Sequence, residues 1–172
     1  MELRLQEAVI PQNPTPGPTP QQKPIWCQPD VIEAMKRAWA RTGNGTSKNE
    51  AGFVLNGTPS NYSIVDTKSG NTQNEQKMTI TPTVTGGSPS TFLLFHVHPN
   101  SDTRKPSTPQ NNARGDPNYG DTLISDSYYQ RGQTILFLVG HRSGLTLYDP
   151  SKPPNQRLTN LRENLDWTNA CK

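Results

Sequence analysis

The chain has 172 residues, 17 Lys or Arg against 14 Asp or Glu, and a hydrophobic share of only 30%. A domain of that size can bury about 70% of its unfolded surface, but an apolar share below the usual value of about 45–50% leaves a modest core and long polar loops. The net charge of +3 is spread along the chain, which argues against a basic nucleic-acid groove, and no apolar run approaches the roughly 18 residues of a membrane span.

Residues 1–25 are a Pro-rich linker, with "PQNPTPGPTPQQKP" at 11–24. Such a composition is extended and suits a tether to a larger polypeptide. The N-terminus lacks the basic-then-apolar pattern of a secretion signal. The folded domain is expected over 26–172. Asp30 and Glu33 predict a capping pair, followed by Val31, Ile32, Met35, Ala38 and Trp39 at helical spacing, and "TGNG" ends that helix. "AGFVL" (51–55) and "YSIVDT" (62–67) read as strands joined by a turn at Asn56-Gly57, with another strand over 77–82. "TFLLFHVH" (91–98) is apolar on both faces, the mark of a central strand. A polar loop from Pro99 to Gly120 leads to a helix over Asp121–Gln130, then strands over 134–140 and 144–149. Leu158, Leu161 and Leu165 predict a last short helix. The pattern is α/β: a mixed central β-sheet flanked by helices in two or three layers.

Cys27 and Cys171 lie near the two ends of the folded part. A bond between them would close most of the domain into one loop, worth about 5 kcal/mol on the chain-entropy model. It would also point to an oxidising, exported setting. The sequons at Asn44, Asn56 and Asn61 are coincidence in so Asn-, Ser- and Thr-rich a chain. Left unpaired, Cys27 would precede the first helix, where a lowered thiol pKa favours a nucleophile. With His98 or His141 as base, that alternative is a papain-like cysteine peptidase.

Two of the three histidines stand one residue apart at the end of the strongest strand, in "FHVHP". Alternate strand residues face one side, about 6.6 Å apart, so His96 and His98 can converge on one ion. Pro99 stops the strand. A catalytic zinc takes three protein ligands and keeps one position for water. His141 sits in a predicted surface turn. Asp102, Asp116 and Asp121 are candidates for the third ligand, and Asp121 is preferred because a helix begins there. Taken singly, an Asp before a helix is usually a cap, and Glu50 at a strand entrance is usually solvated.

As an ordered set, Glu50 in "EAGFVL", "FHVHP" and "GDTLI" at 120–124 resemble the JAB/MPN (JAMM) metalloenzyme family, and "ILFLVG" and "GLTLYDP" resemble its following strands. The likeness spans roughly residues 29–150 and is nearest to JAB-like domains of secreted or toxin-type bacterial proteins. It departs from the family's Ser-x-x-Asp: Asn118 stands where the serine falls, and residues 99–120 separate His98 from Asp121. The resemblance implies a cytidine-deaminase-like fold and a zinc hydrolase for peptide or isopeptide bonds in a protein or peptide substrate. It implies Glu50 as general base, His96, His98 and Asp121 as zinc ligands, and Ser107 of "KPSTPQ" as the oxyanion donor. The contrasting expectation is a JAB-like binding scaffold without catalysis.

Overall fold

The structure is a computed structural model that describes residues 23–46, 50–67, 82, 84–85, 88–98, 120–162 and 171. The strand expected over 77–82 falls almost wholly outside these residues, as do Ser107, Asp102 and Asp116.

Helix α1 spans Pro29–Arg41 and opens differently from the expected capping pair. Pro29 occupies the first turn, where its fixed φ is already helical and its missing N–H costs nothing. Asp30 Oδ1 instead accepts from the backbone of Val31 (3.0 Å) and from the Tyr62 hydroxyl (2.8 Å). Glu33 pairs with Lys36 at 2.7 Å. Strands β1 (Gly52–Thr58) and β2 (Asn61–Asp66) form a hairpin whose turn falls at Pro59-Ser60, not at Asn56-Gly57. Gly57 remains inside β1 at φ +117°, where a Cβ would collide with the backbone carbonyl of Asn61. There, glycine permits a close backbone approach rather than a reversal.

Strands β3 (Val84–Thr85) and β4 (Ser88–Pro89) make a separate small ribbon. Strand β5 (Thr91–Val97) leads to helix α2 (Asp121–Tyr129), then to β6 (Leu136–His141), β7 (Gly144–Tyr148) and β8 (Leu158–Arg162). The main sheet runs β2-β1-β5-β6-β7-β8, and only β5 and β6 are parallel. The helix expected around Leu158 and Leu161 is strand β8. Leu158 is 41% exposed, and the segment pairs with β7 across a register shift at Leu145/Thr146. Pairing with β7 overrides a leucine spacing that by itself suits a helix.

The sheet is covered on both sides. Val31, Ala34, Met35 and Ala38 of α1 join Phe53, Leu55, Leu93, Phe95 and Leu138 in one apolar cluster. On the other face Ile124 and Tyr128 of α2 pack against Val54, Leu94, Phe137, Val139 and Tyr148. Strand alternation explains the split: Leu93, Phe95 and Val97 of β5 face α1, and Leu94 and His96 face α2. Cys27 is bonded to Cys171 across 144 residues of sequence, as the cysteine positions suggested.

Candidate metal centre

Three chain segments meet at one lip of the sheet. β5 reaches it with His96 and leaves with His98, whose backbone N–H donates to Gly140 O at 2.8 Å and so extends the parallel ladder by one residue. β1 runs the opposite way and starts there, with Gly52 opposite His96 and Val97 N donating to Ala51 O at 2.9 Å. Glu50 is thereby fixed beside the exit of β5. Helix α2 starts at the same lip. Gly120, at φ +145°, is its N-cap, so Asp121 is the first helical residue rather than the cap.

The side chains converge. Glu50, His96 and His98 each offer a ligand atom within 4.8 Å of the others, and the three could hold a metal ion. Asp121 Oδ2 stands 3.6 Å from His96 Nε2 and 3.4 Å from His98 Nε2. The two imidazoles lie 4.6 Å apart between centroids, and the edge of His96 meets the Phe137 ring at 5.1 Å. His96 is 3% exposed, and its Nε2 has no hydrogen-bond partner among the described residues. Burial lowers its pKa to about 4, with Asp121 opposing and His98 adding to the shift. At neutral pH His96 is therefore uncharged and offers a nitrogen lone pair.

These distances test the fit to a metal. Ligand atoms about 2.0–2.1 Å from a tetrahedral zinc lie roughly 3.3 Å from one another. The spacings of 3.4 and 3.6 Å from one carboxylate oxygen to two imidazole nitrogens are close to two edges of such a tetrahedron. They are also longer than a charge-assisted hydrogen bond of about 2.7–2.9 Å. A buried polar atom normally finds a partner, and the orphaned Nε2 of His96 points into this group. The residues fit.

No family model, curated protein or solved structure matches the chain.

Two sequence expectations fail here. His141 is not a surface turn residue: it ends β6, is 1% exposed and lies on the face that carries Val139. Its Nε2 is 3.1 Å from Thr146 Oγ1, which in turn donates to Asn160 Oδ1 at 3.2 Å. "VGHRSG" reads as a turn because only Arg142 and Ser143 form it, a two-residue hairpin too tight to include His141. Cys27, offered as an alternative nucleophile, has no thiol, because it is held in the disulfide. The sequence also gave no sign of a polar cluster on α2, in which Tyr148 and Arg157 both reach Asp126. Among the described residues no helix is long and apolar enough to cross a membrane.

Proposed function

We propose that the protein is a zinc-dependent hydrolase of peptide or isopeptide bonds, of the JAB/MPN type, with His96, His98 and Asp121 as metal ligands and Glu50 as general base. The observation that carries this reading is the convergence of two imidazole nitrogens on one Asp121 oxygen, with the Glu50 carboxylate close by. Both carboxylates approach the histidines. Asp121 is assigned as ligand because its Oδ2 contacts both Nε2 atoms. Glu50, whose carboxylate lies within 4.8 Å of the imidazole nitrogens and could itself hold the ion, is assigned as base on its resemblance to the family's glutamate.

When bound, zinc supplies Lewis acidity that lowers the pKa of a water it holds to about 7. Glu50 takes the proton from the attacking water and delivers it to the departing nitrogen, a contribution of roughly 10²–10⁴ in rate. Burial keeps His96 neutral and ready to ligate. The apolar surround of Phe137 and Leu94 limits water at the inner wall of the site. The family resemblance assigns the oxyanion contact to Ser107, which lies outside the described residues. The disulfide supports an exported setting, and the Pro-rich 1–25 segment supports attachment to a larger polypeptide.

Elemental analysis and a peptidase assay test this together. Wild-type protein should carry one zinc per chain, and His96→Ala should lose it. Glu50→Gln should keep the zinc and lose peptide hydrolysis by about two to four orders of magnitude. Full zinc occupancy in His96→Ala would sink the ligand set. A zinc-loaded wild type with no hydrolysis of any peptide or isopeptide substrate would leave a binding scaffold instead. An Asp121→Asn variant that keeps its metal would move the third ligand to Asp102 or Asp116.

A further inference from the structure

Helix α2 has an unusual burden for its size. It has nine residues, no side-chain cap at its start, and only Thr122 and Ser125 fully buried. Ile124 and Tyr128 are only partly buried against the apolar cluster beneath them. Yet its first residue, Asp121, must sit within a few tenths of an ångström of its place to complete a metal site.

A polar clamp restrains the far half of the helix. Asp126 Oδ1 accepts from the Tyr148 hydroxyl at 2.7 Å and from Arg157 Nη1 at 3.2 Å, and Nη1 also lies 3.3 Å from the Tyr148 oxygen. Tyr148 is the last residue of β7 and only 6% exposed. Arg157 is tied down in turn: its Nε donates to Lys152 O at 3.1 Å, and its carbonyl accepts from Asp149 N at 2.9 Å. The clamp therefore joins α2 to the fixed end of the β7–β8 connection.

We propose that Asp126, held by Tyr148 and Arg157, is a positioning residue for the metal centre, setting the rotation of α2 and with it the place of Asp121 against His96 and His98. Asp126 follows Asp121 by five positions, about 7.5 Å along the axis. A side-chain tip about 5 Å from that axis moves roughly 1.7 Å for a 20° rotation. That displacement far exceeds the tolerance of about 0.2 Å in a metal–ligand distance. As a partly exposed ion pair alone, Arg157–Asp126 would contribute little. The short bond from a buried phenol to a carboxylate is what makes the contact directional.

This inference rests on the proposed metal centre, and the experiment separates the two. Zinc affinity is measured by competition with a chromophoric chelator, and Co²⁺ absorption reports coordination geometry, for wild type, Asp126→Ala, Tyr148→Phe and Asp126→Asn. Asp126→Ala and Tyr148→Phe should each bind zinc about 10- to 100-fold more weakly. Their Co²⁺ bands should weaken toward those of a higher-coordinate or less ordered site. Asp126→Asn keeps an oxygen for the Tyr148 hydroxyl and should recover most of the affinity. If Asp126→Ala does not fold, Tyr148→Phe carries the test alone. Variants with lowered melting temperature but wild-type zinc affinity and Co²⁺ spectrum would overturn the positioning role and leave a structural tie. Failure of the wild type itself to bind either ion would overturn the metal centre, and this role with it.

Discussion

The two faces of the sheet are built to opposite specifications. The face under α1 is apolar: Val31, Met35, Phe53, Phe95 and Leu138 are fully buried there, and the Phe53 and Phe95 rings stack at 4.9 Å. The face under α2 buries His96, His141 and Thr146 among its apolar residues and is met by a helix whose buried positions are Thr122 and Ser125. Burying polar groups costs stability unless each is satisfied, so the first face offsets what the second gives up. The candidate metal centre lies on the face that buries polar groups.

The largest expected effect tests the division from the stable side. Met35→Ala, at a fully buried position of α1, should destabilise the domain by about 2–5 kcal/mol in urea unfolding. The folded protein should still bind one zinc. Loss of the metal in folded Met35→Ala would show that the faces are not separable.

Acid should act through the other face. The pKa of His96 is lowered to about 4 in the folded metal-free protein, chiefly by burial, against 6.5 for an ordinary histidine. Between those values the unfolded chain binds the extra proton, so stability falls as pH drops from about 6.5 to about 4 and then levels off. A shift of that size corresponds to about 3 kcal/mol at most. Chemical unfolding in the presence of a chelator measures it. His96→Leu should erase that slope. At neutral pH it should also match or exceed the metal-free wild type by about 1 kcal/mol, because an unsatisfied buried nitrogen is gone. It should bind no zinc. A His96→Leu protein markedly less stable than wild type would mean that the imidazole serves the core.

The smallest effect lies at the alkaline end, on the α1 side. Tyr62 is pushed up to about 12 by burial and by its hydrogen bond to Asp30. The folded protein keeps this proton when the unfolded chain has lost it, so the contribution is whole below pH 10 and declines from there toward 12. The difference in melting temperature between wild type and Tyr62→Phe should shrink across that range. A constant difference would remove Tyr62 from the account.

The sequence was most legible where one residue's position carries both fold and chemistry. His96 and His98 alternate on an apolar strand, and that spacing alone puts both imidazoles on one face. The start of α2 at Asp121 was legible from the polar loop before it and the helical spacing after it. What escaped was set by partners distant in the chain. The leucines at 158 and 161 keep a helical interval, but pairing with β7 makes them a strand. Asn56-Gly57 has turn chemistry, yet Gly57 N donates to Ser90 O at 2.6 Å and holds the pair within the strand. His141 was read as exposed because a two-residue hairpin looks longer in sequence than it is. No local pattern announces that Asp126, Tyr148 and Arg157 share one oxygen.

The Cys27–Cys171 bond also decides how the domain bears tension. A pull applied to the chain before Cys27 and after Cys171 passes from one segment to the other through two sulfurs, and the stretch between them, bridged at a sequence separation of 144, bears none of it. The sheet, both helices and the His96–His98 lip all belong to that stretch. While the bond is intact, stretching the polypeptide leaves the ladder and the site unloaded. Reduction would transfer the whole load to α1 and the strand pairings, so the disulfide acts as a mechanical bypass around the candidate metal centre it encloses.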